Sequence, residues 1–232
     1  MTVQFDVDIR KTLRAGPREF HLCLRLHTDS QRIVIFGPSG AGKTLTLKLL
    51  AGLERQDAGH VRVGGETLFD ADAGIDLSVQ ARRMAFVFQD YALFPHLDVR
   101  QNVGFPLRRG WLNPRRTRRD PAVEHWLETL GLAEVAHQYP DQISGGQRQR
   151  TALARALVMQ PRALLLDEPF AALDPELRAH LRNEFDCLQR RLQVPMLLIS
   201  HDPVDAEVFG DHVVRLRSGV LVPEDATVAA AT

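Results

Sequence analysis

The chain has 232 residues, of which 44% are hydrophobic and 25% are charged, and its 29 Lys and Arg residues balance 29 Asp and Glu residues. This composition is typical of one or two globular domains, and the balanced charge argues against a dedicated nucleic-acid binder, which is usually strongly basic. Cys23 and Cys187 are too few for a disulfide framework, so we expect a reduced, cytosolic compartment. The N-terminus lacks the apolar region of a signal peptide, and no run approaches the roughly 18 apolar residues of a membrane span.

The order of the elements along the chain predicts an α/β fold. Early strands alternate apolar and polar side chains, as half-buried antiparallel strands do, whereas later apolar runs alternate with helices, as in a parallel sheet covered on both faces. Strands are predicted over residues 3–9, 20–26, 31–36, 61–69 (turning at Gly64 and Gly65), 84–88, 163–166 and 196–200. Helices are predicted over 44–53, 122–132 and 147–159, within a mostly helical stretch from about 90 to 160. We therefore predict an α/β core with an N-terminal antiparallel β lobe, a helical insertion and a loose tail at 223–232.

Residues 37–44, GPSGAGKT, match the pattern G-x-x-x-x-G-K-[ST] between a predicted strand and a predicted helix. In such a loop, backbone N–H groups and the helix N-terminus bind phosphate oxygens. Lys43, one of only three lysines, is suited to reach the β- and γ-phosphates, and Thr44 supplies a hydroxyl for Mg²⁺. The sequence therefore predicts a site for a nucleoside triphosphate, formed by Gly37, Pro38, Ser39, Gly40, Ala41, Gly42, Lys43 and Thr44.

The acidic half of this site is predicted at residues 163–169, ALLLDEP, where a buried strand ends in two carboxylates. Asp167 is expected to hold Mg²⁺, directly or through water, and Glu168 to orient or deprotonate the attacking water. An Asp-Glu pair at a strand end is common by itself. Together with the glycine-rich loop, it predicts a P-loop NTPase with a RecA-like core.

Residues 143–150, ISGGQRQR, form a second predicted anion-binding helix N-terminus, with Ser144 at the N-cap. Two phosphate-binding elements in one chain are redundant unless the second serves the nucleotide of another molecule. At this point the sequence resembles the ATP-binding-cassette (ABC) family, whose signature is LSGGQ and from which it departs by one isoleucine. The resemblance extends from the first strand to about Val222, so we expect one ABC ATPase domain over residues 1–222.

The resemblance implies further site residues. Gln89 matches the family glutamine that contacts Mg²⁺ and links the nucleotide to the membrane partner, Asp174 matches a dimer-contact residue, and His201 matches the histidine that contacts the γ-phosphate. The adenine-stacking aromatic has no clear counterpart, because residues 11–19 contain none and Phe20 is only the nearest candidate. The implied site has catalytic Glu168, His201, Gln89 and Lys43, metal ligands Thr44, Gln89 and Asp167, and nucleotide contacts from Ser144, Gly145, Gly146, Gln147 and Asp174.

The family resemblance also implies partners. Two copies would pack head to tail, with each ATP between residues 37–44 of one copy and 144–147 of the other. The chain would power separate transmembrane permease subunits, served indirectly by a solute-binding protein, at the cytoplasmic face of the inner membrane, with no nucleic acid. The segment after Gln89 resembles the importer segment that faces the permease, and its apolar residues are expected to be exposed there or to pack the helical insertion. These residues are Tyr91, Leu93, Phe94 and Leu97.

The segment 66–89, ETLFDADAGIDLSVQARRMAFVFQ, resembles molybdate-importer ATPases, and importers of sulfate or thiosulfate are the competing interpretation. We interpret the arginine-rich stretch 108–119 as a solvated loop between helices, with a nucleic-acid or lipid-headgroup patch as the alternative. A soluble cassette acting on DNA or ribosomes is the alternative from another class. It is disfavoured because the interval between Thr44 and Ser144 is too short for the coiled coil of DNA-repair cassettes, and translation cassettes usually occur in tandem. A P-loop small-molecule kinase would leave the ISGGQ segment and His201 unexplained.

Overall fold

A computed structural model describes residues 3–108, 113–116, 119–171 and 173–222 of the chain. The predicted tail at 223–232 lies outside the described residues, as do Arg109, Trp111 and Arg118 of the arginine-rich stretch.

The described residues alternate between strands and helices. The strands are β1 (Phe5–Ala15), β2 (Arg18–Thr28), β3 (Arg32–Phe36), β4 (Ala58–Val63), β5 (Glu66–Asp70), β6 (Ile75–Asp76), β7 (Met84–Val87), β8 (Ala163–Asp167), β9 (Met196–Ser200), β10 (His212–Arg217) and β11 (Val220–Val222). The helices are α1 (Lys43–Ala51), α2 (Val79–Arg82), α3 (Val99–Gly104), α4 (Pro121–Thr129), α5 (Gly145–Leu157), α6 (Pro175–Leu192) and α7 (Pro203–Phe209), with a 3-10 turn at Phe105–Leu107. The strands form one sheet in the order β6-β5-β4-β1-β2-β11-β10-β3-β9-β8-β7.

The half of the sheet from β10 to β7 is parallel and is buried on both faces, as the sequence predicts. Along β3, Val34 packs into one hydrophobic cluster, whereas its neighbours Ile33 and Ile35 pack into another. Successive side chains of a strand point to opposite faces, so a strand with cover on both sides needs a continuous apolar run. Because the strands are parallel, the residues that follow β3, β7, β8 and β9 meet at one edge of the sheet.

The antiparallel lobe is formed by β1, β2, β4, β5 and β6, as predicted for the N-terminal part. Gly64 and Gly65 form the β4–β5 turn, with φ values of 58° and 81°. Strand β1 continues to Ala15, beyond the predicted end at residue 9, and pairs with β2 throughout. The extension was not predicted because residues 10–15 are mostly polar, so backbone pairing continues where the apolar pattern ends.

The stretch from 90 to 160 is less helical than predicted. Loops separate α3, α4 and α5, and side chains hold the loops in place. The Asn102 amide, for example, donates to the carbonyl oxygens of Phe94, Leu97 and Asp98. The predicted helix at 122–132 ends early, followed by Gly131 with φ 62°. In the described part of the chain, none of the helices combines the length and the apolar character needed to cross a bilayer.

Candidate functional site

The glycine-rich loop 37–44 leads from β3 into α1. Gly42 caps α1 with φ 101°, a conformation that side chains rarely adopt. A Cβ on Gly42 would lie 2.9 Å from Cζ of Phe20, and a Cβ on Gly37 would lie 2.2 Å from the carbonyl oxygen of Leu216. Close packing therefore requires glycine at both positions, and it fixes the loop against β2 and β10.

Lys43 is buried at the first position of α1, with 6% of its surface exposed. Its Nζ donates hydrogen bonds to the carbonyl oxygens of Gly37 at 2.7 Å and Pro38 at 3.0 Å. The same atom lies 3.7 Å from Glu168 Oε1. The ammonium group is thus held between the glycine-rich loop and the acidic end of β8.

Thr44 and Asp167 meet at the same edge of the sheet. Thr44 Oγ1 donates to Asp167 Oδ1 at 3.0 Å, across 123 positions of sequence. Burial, together with the charge of Glu168, raises the pKa of Asp167, although the Thr44 hydrogen bond and the charge of Lys43 oppose the shift. A cation bound nearby would therefore stabilise the ionised form of Asp167.

The donor set at this edge fits Mg²⁺. The hydroxyl of Thr44 and the carboxylate of Asp167 are hard oxygen ligands, and Mg²⁺ is usually held by one or two carboxylates together with substrate phosphates and water. No group of three His, Cys, Asp or Glu side chains with metal-binding spacing occurs within the described ranges. A cation here would therefore share its coordination with a bound phosphate.

Glu168 follows β8, and His201 follows the neighbouring strand β9. Glu168 has φ 47°, an uncommon value for a residue with a side chain, and its backbone N–H donates to the carbonyl of Ile199 at 3.1 Å. His201 Nδ1 lies 3.1 Å from Glu168 Oε2. The Glu168 side chain is 20% exposed and that of His201 is 61% exposed, so both are open to a ligand at this edge.

Gln89 and Asp174 lie in different settings. Gln89 is exposed in the turn after β7, whose Val87 pairs with Leu166 of β8, so Gln89 lies at the same sheet edge as the acidic residues. Its side chain makes no hydrogen bond to another described residue. Asp174 is also exposed, and its carboxylate caps α6 by accepting from the Leu177 N–H at 3.0 Å.

The Ser144–Gln147 segment forms the N-terminus of α5. Ser144 Oγ accepts from the Gln147 N–H at 3.2 Å, and Gln147 Oε1 accepts from the Ser144 N–H at 2.8 Å, which completes a capping box. Gly145 and Gly146 form the first turn of the helix. No hydrogen bond or ion pair between described residues joins this segment to loop 37–44. Loop 37–44 and the ends of β8 and β9 thus lie together, whereas Ser144–Gln147 makes no hydrogen bond or ion pair with them among the described residues.

Of the two roles expected for the segment after Gln89, Tyr91 and Leu97 serve the packing of the helical part of the molecule. They are 6% and 1% exposed, and Tyr91 packs in the core with its hydroxyl donating to the carbonyl of Pro169. Leu93 and Phe94 are half-buried and pack against the same core or the ring of Phe105. The apolar residues of this segment thus serve mainly to pack the helical part of the molecule.

Two segments noted in the sequence analysis contain residues with structural contacts elsewhere in the chain. In the arginine-rich stretch, Arg116 binds Asp98 Oδ2 at 3.0 Å and the carbonyl of His137 at 3.1 Å. In segment 66–89, Leu68 and Phe69 are core residues. The residues that carry the resemblance to molybdate importers therefore include structural ones.

Sequence reasoning missed the residues that support His201 from behind. Arg182 of α6 binds Asp202 and Asp205, which lie one and four positions after His201. Helix α6 was not predicted, although Leu181, Phe185 and Leu188 recur at helical spacing and pack into the core. Phe20, in turn, has its ring against Gly42 and packs on the core of the β lobe.

Comparison with known proteins gives consistent results. A family model described as ABC transporter matches residues 24–171. The chain is 42% identical over 193 residues to a trehalose/maltose import ATP-binding protein of Thermococcus litoralis, covering 83% of this chain and 51% of the relative. It is 40% identical over 214 residues to a molybdate/tungstate import ATP-binding protein of Archaeoglobus fulgidus, covering 92% of this chain and 84% of the relative.

A sulfate/thiosulfate import ATP-binding protein of Xanthomonas campestris is 44% identical over 193 residues, covering 82% of this chain and 54% of the relative. The chain thus spans about half the length of two of these three relatives. A solved dimeric ATP-binding cassette in a post-hydrolysis state with ADP and Pi aligns with a TM-score of 0.73 at 28% identity, over 95% of this chain and 97% of that one.

Proposed function

This chain belongs to the ABC transporter family, and from that membership we propose that it is the ATP-hydrolysing subunit of a membrane importer. The observation that carries the proposal is the meeting of Lys43, Thr44, Asp167, Glu168 and His201 at one edge of the parallel sheet. This set combines a cation for phosphates, two oxygen ligands for a metal, a base and a further polar group. It is the set that hydrolysis of a nucleoside triphosphate requires.

In the proposed reaction, loop 37–44 binds the phosphates of ATP through its backbone N–H groups and the N-terminus of α1. Lys43 Nζ, now bonded to two loop carbonyls, exchanges these partners for phosphate oxygens, which are better acceptors for a cation. Thr44 and Asp167 would hold Mg²⁺, which would neutralise negative charge on the phosphates. Gln89, at the exposed end of β7, is the third proposed metal ligand.

Glu168 takes a proton from the attacking water or orients it, and His201 contacts the γ-phosphate. Proton transfer to a positioned carboxylate contributes about 10²–10⁴-fold in rate. The 3.1 Å contact between Glu168 and His201 keeps both side chains on the same side of the site. The rest of the catalysis is positioning and charge stabilisation, as is usual for phosphoryl transfer.

The proposed working unit contains two copies packed head to tail. In Ser144–Gln147 the N–H groups of Gly145 and Gly146, in the first turn of α5, have no hydrogen-bond partner among the described residues, and the segment makes no hydrogen bond to loop 37–44 of its own chain. It therefore suits the γ-phosphate of a nucleotide bound by the other copy, with Asp174 at the contact. A solved relative that aligns over nearly the whole chain is dimeric and carries ADP and Pi, which supports this arrangement.

The proposed cargo is an oxyanion, with molybdate first and sulfate or thiosulfate as the competing choice. The molybdate/tungstate relative covers more of both chains than the sugar and sulfate relatives, although all three are 40–44% identical. Separate transmembrane permease subunits and, indirectly, a solute-binding protein would select the cargo. The chain would act at the cytoplasmic face of the inner membrane, without nucleic acid.

Replacement of Glu168 by Gln tests the hydrolytic role. We expect Glu168→Gln to lower the ATPase rate of the full chain by at least about 100-fold, while ATP binding persists and ATP-dependent dimers accumulate on size-exclusion chromatography. Glu54→Gln, at an exposed position after α1, is the matched control and should change neither quantity. Normal hydrolysis by Glu168→Gln would show that the base is elsewhere. Absence of ATP binding by the unaltered chain would refute the function itself.

Reconstitution tests the cargo. We expect the complex with its permease to hydrolyse ATP faster with a binding protein loaded with molybdate than with one loaded with sulfate or a disaccharide. Greater stimulation by sulfate would assign the competing cargo, and stimulation by a disaccharide alone would exclude an oxyanion. Stimulation of the isolated chain by ribosomes or DNA would contradict the importer assignment.

A further inference from the structure

A closed ring of hydrogen bonds lies behind His201. Arg182, on α6, is 7% exposed, and its Nε donates to Asp205 Oδ1 while its Nη2 donates to Asp202 Oδ2, each at 2.5 Å. Asp205 Oδ2 accepts from Ser200 Oγ. Ser200 Oγ in turn accepts from the backbone N–H of Asp202 at 3.0 Å. The ring therefore closes on the residues immediately before and after His201.

This ring constrains the main chain on both sides of a side chain that has little packing of its own, since the His201 ring is 61% exposed. A guanidinium is a rigid planar fork, so a shift of one bound carboxylate disturbs the other. Charge-assisted hydrogen bonds are also stronger than neutral ones. The guanidinium carbon of Arg182 lies 6.0 Å from the ring centre of Phe170, two residues after Glu168, so one buried cation touches both segments of the Glu168–His201 pair.

We propose that Arg182 and Asp205 are positioning residues that hold His201 at the γ-phosphate during ATP hydrolysis. This inference rests on the proposed function. Both residues would act through the side chains that flank His201: Arg182 binds the Asp202 carboxylate, and Asp205 accepts from the Ser200 hydroxyl. A displacement of about 1 Å at a reacting group costs on the order of 10²-fold in rate, so loss of the ring is expected to appear in kcat more than in KM.

A purely structural ion pair is the competing explanation, and the chain contains a matched example. Arg32 is 4% exposed and donates to Asp186 Oδ1 at 2.5 Å, and Asp186 lies on α6 like Arg182. Arg32 is at the start of β3, the opposite end of that strand from the glycine-rich loop. Asp186→Asn therefore removes a similar charge from a similar buried pair away from the site.

The test is a double-mutant cycle on the ATPase activity of the full chain, with radiolabelled ATP so that low rates remain measurable. Ser200→Ala and Asp205→Asn are each made in the unaltered chain and in His201→Ala. In the unaltered chain we expect kcat to fall several-fold for Ser200→Ala and about 10- to 100-fold for Asp205→Asn, with KM for ATP changed less than about twofold. In His201→Ala we expect neither change to lower kcat further, because they act through His201. Asp186→Asn should leave kcat unchanged in both backgrounds.

Equal losses of kcat in both backgrounds would overturn the inference, because they would show a general structural effect. Unchanged kcat for Ser200→Ala and Asp205→Asn, with kcat lowered by His201→Ala, would overturn this inference alone. Normal kcat for His201→Ala would refute the role of His201 in the proposed function as well. Ser200→Ala removes only a hydroxyl and keeps every charge, so it decides the question even where Asp205→Asn fails to fold.

Discussion

Replacement of Arg82 by Met is expected to destabilise the fold although it retains most of the side-chain volume. Arg82 is 2% exposed and binds the C-terminal end of α1, whose N-terminus carries the glycine-rich loop. Its Nη1 donates to the carbonyls of Leu49 at 2.8 Å and Leu50 at 3.0 Å, and its Nε donates to the carbonyl of Leu77 at 3.0 Å. Its Nη2 donates to Asp76 Oδ1 at 3.1 Å. Methionine leaves all four acceptors without these donors.

The magnitude follows from two opposing terms. A hydrogen bond from a charged donor is worth about 1.5–3 kcal/mol, so three bonds to carbonyls and one to a half-exposed carboxylate favour arginine strongly. Removal of the guanidinium from water costs several kcal/mol in return. Burial lowers the pKa of Arg82 in spite of the opposing effect of Asp76, which is consistent with this cost. The expected net loss for Arg82→Met is roughly 2–4 kcal/mol.

Urea denaturation followed by far-UV circular dichroism measures this loss. Arg83→Met is the matched control, because Arg83 is exposed and its side-chain hydrogen bond to the carbonyl of Gln160 is at the surface. We expect the control to change the free energy of unfolding by less than about 1 kcal/mol. A loss below about 1 kcal/mol for Arg82→Met, or equal losses for both variants, would refute the reasoning.

Three further changes have expected signs. Burial raises the pKa of Asp167, so the folded chain holds that proton more tightly than the unfolded chain, and stability falls as the pH rises through this range. Asp167→Asn is therefore expected to raise the thermal midpoint at neutral pH while it abolishes Mg²⁺-dependent hydrolysis, and a lower midpoint would contradict this. Asp57→Asn should lower the thermal midpoint at neutral pH, because the hydrogen bond from Lys11 lowers the pKa of Asp57 and so stabilises the folded chain when Asp57 is ionised. This stability is lost as the pH falls through that pKa, so the substitution should have no effect on the midpoint in acid. Gly42→Ala should weaken ATP binding by about tenfold or more, because φ is 101° and the new Cβ would lie 2.9 Å from Phe20; an unchanged dissociation constant in a nucleotide titration would count against it.

The candidate site was predictable where its chemistry depends on adjacent residues. Loop 37–44 carries its strand, turn, lysine and helix start within one short segment, and Asp167 and Glu168 directly follow an apolar strand. Parallel strands bring their C-terminal ends to one edge, so the meeting of Thr44 with Asp167, and of Glu168 with His201, follows from topology once the strands are assigned. The capping box of Ser144 was predictable for the same local reason.

The features that the sequence did not predict depend on contacts between residues far apart in the chain. Arg182 and Asp205 are 23 positions apart, and nothing near either residue indicates that they bind each other. The sequence left open whether Tyr91 is exposed or packed, and the structure buries it beside Pro169, 78 positions away, whose carbonyl accepts its hydroxyl hydrogen bond. Tertiary packing decides such cases, because an apolar residue in a loop can be covered by any element that the fold brings over it.

The separation of the two phosphate-binding elements links the fold to the proposed mechanism. In one chain, loop 37–44 starts α1 and Ser144–Gln147 starts α5, and the two are not joined by hydrogen bonds between described residues. A ligand shifts an equilibrium only by the difference in its affinity for the two states. ATP that contacted only one chain would bind separate and paired copies with equal affinity, so it could not favour pairing. In the proposed dimer, a γ-phosphate shared between loop 37–44 of one copy and Ser144–Gln147 of the other would supply the difference. Hydrolysis at Glu168 would remove it, so the residues proposed to cleave the nucleotide would also end the association.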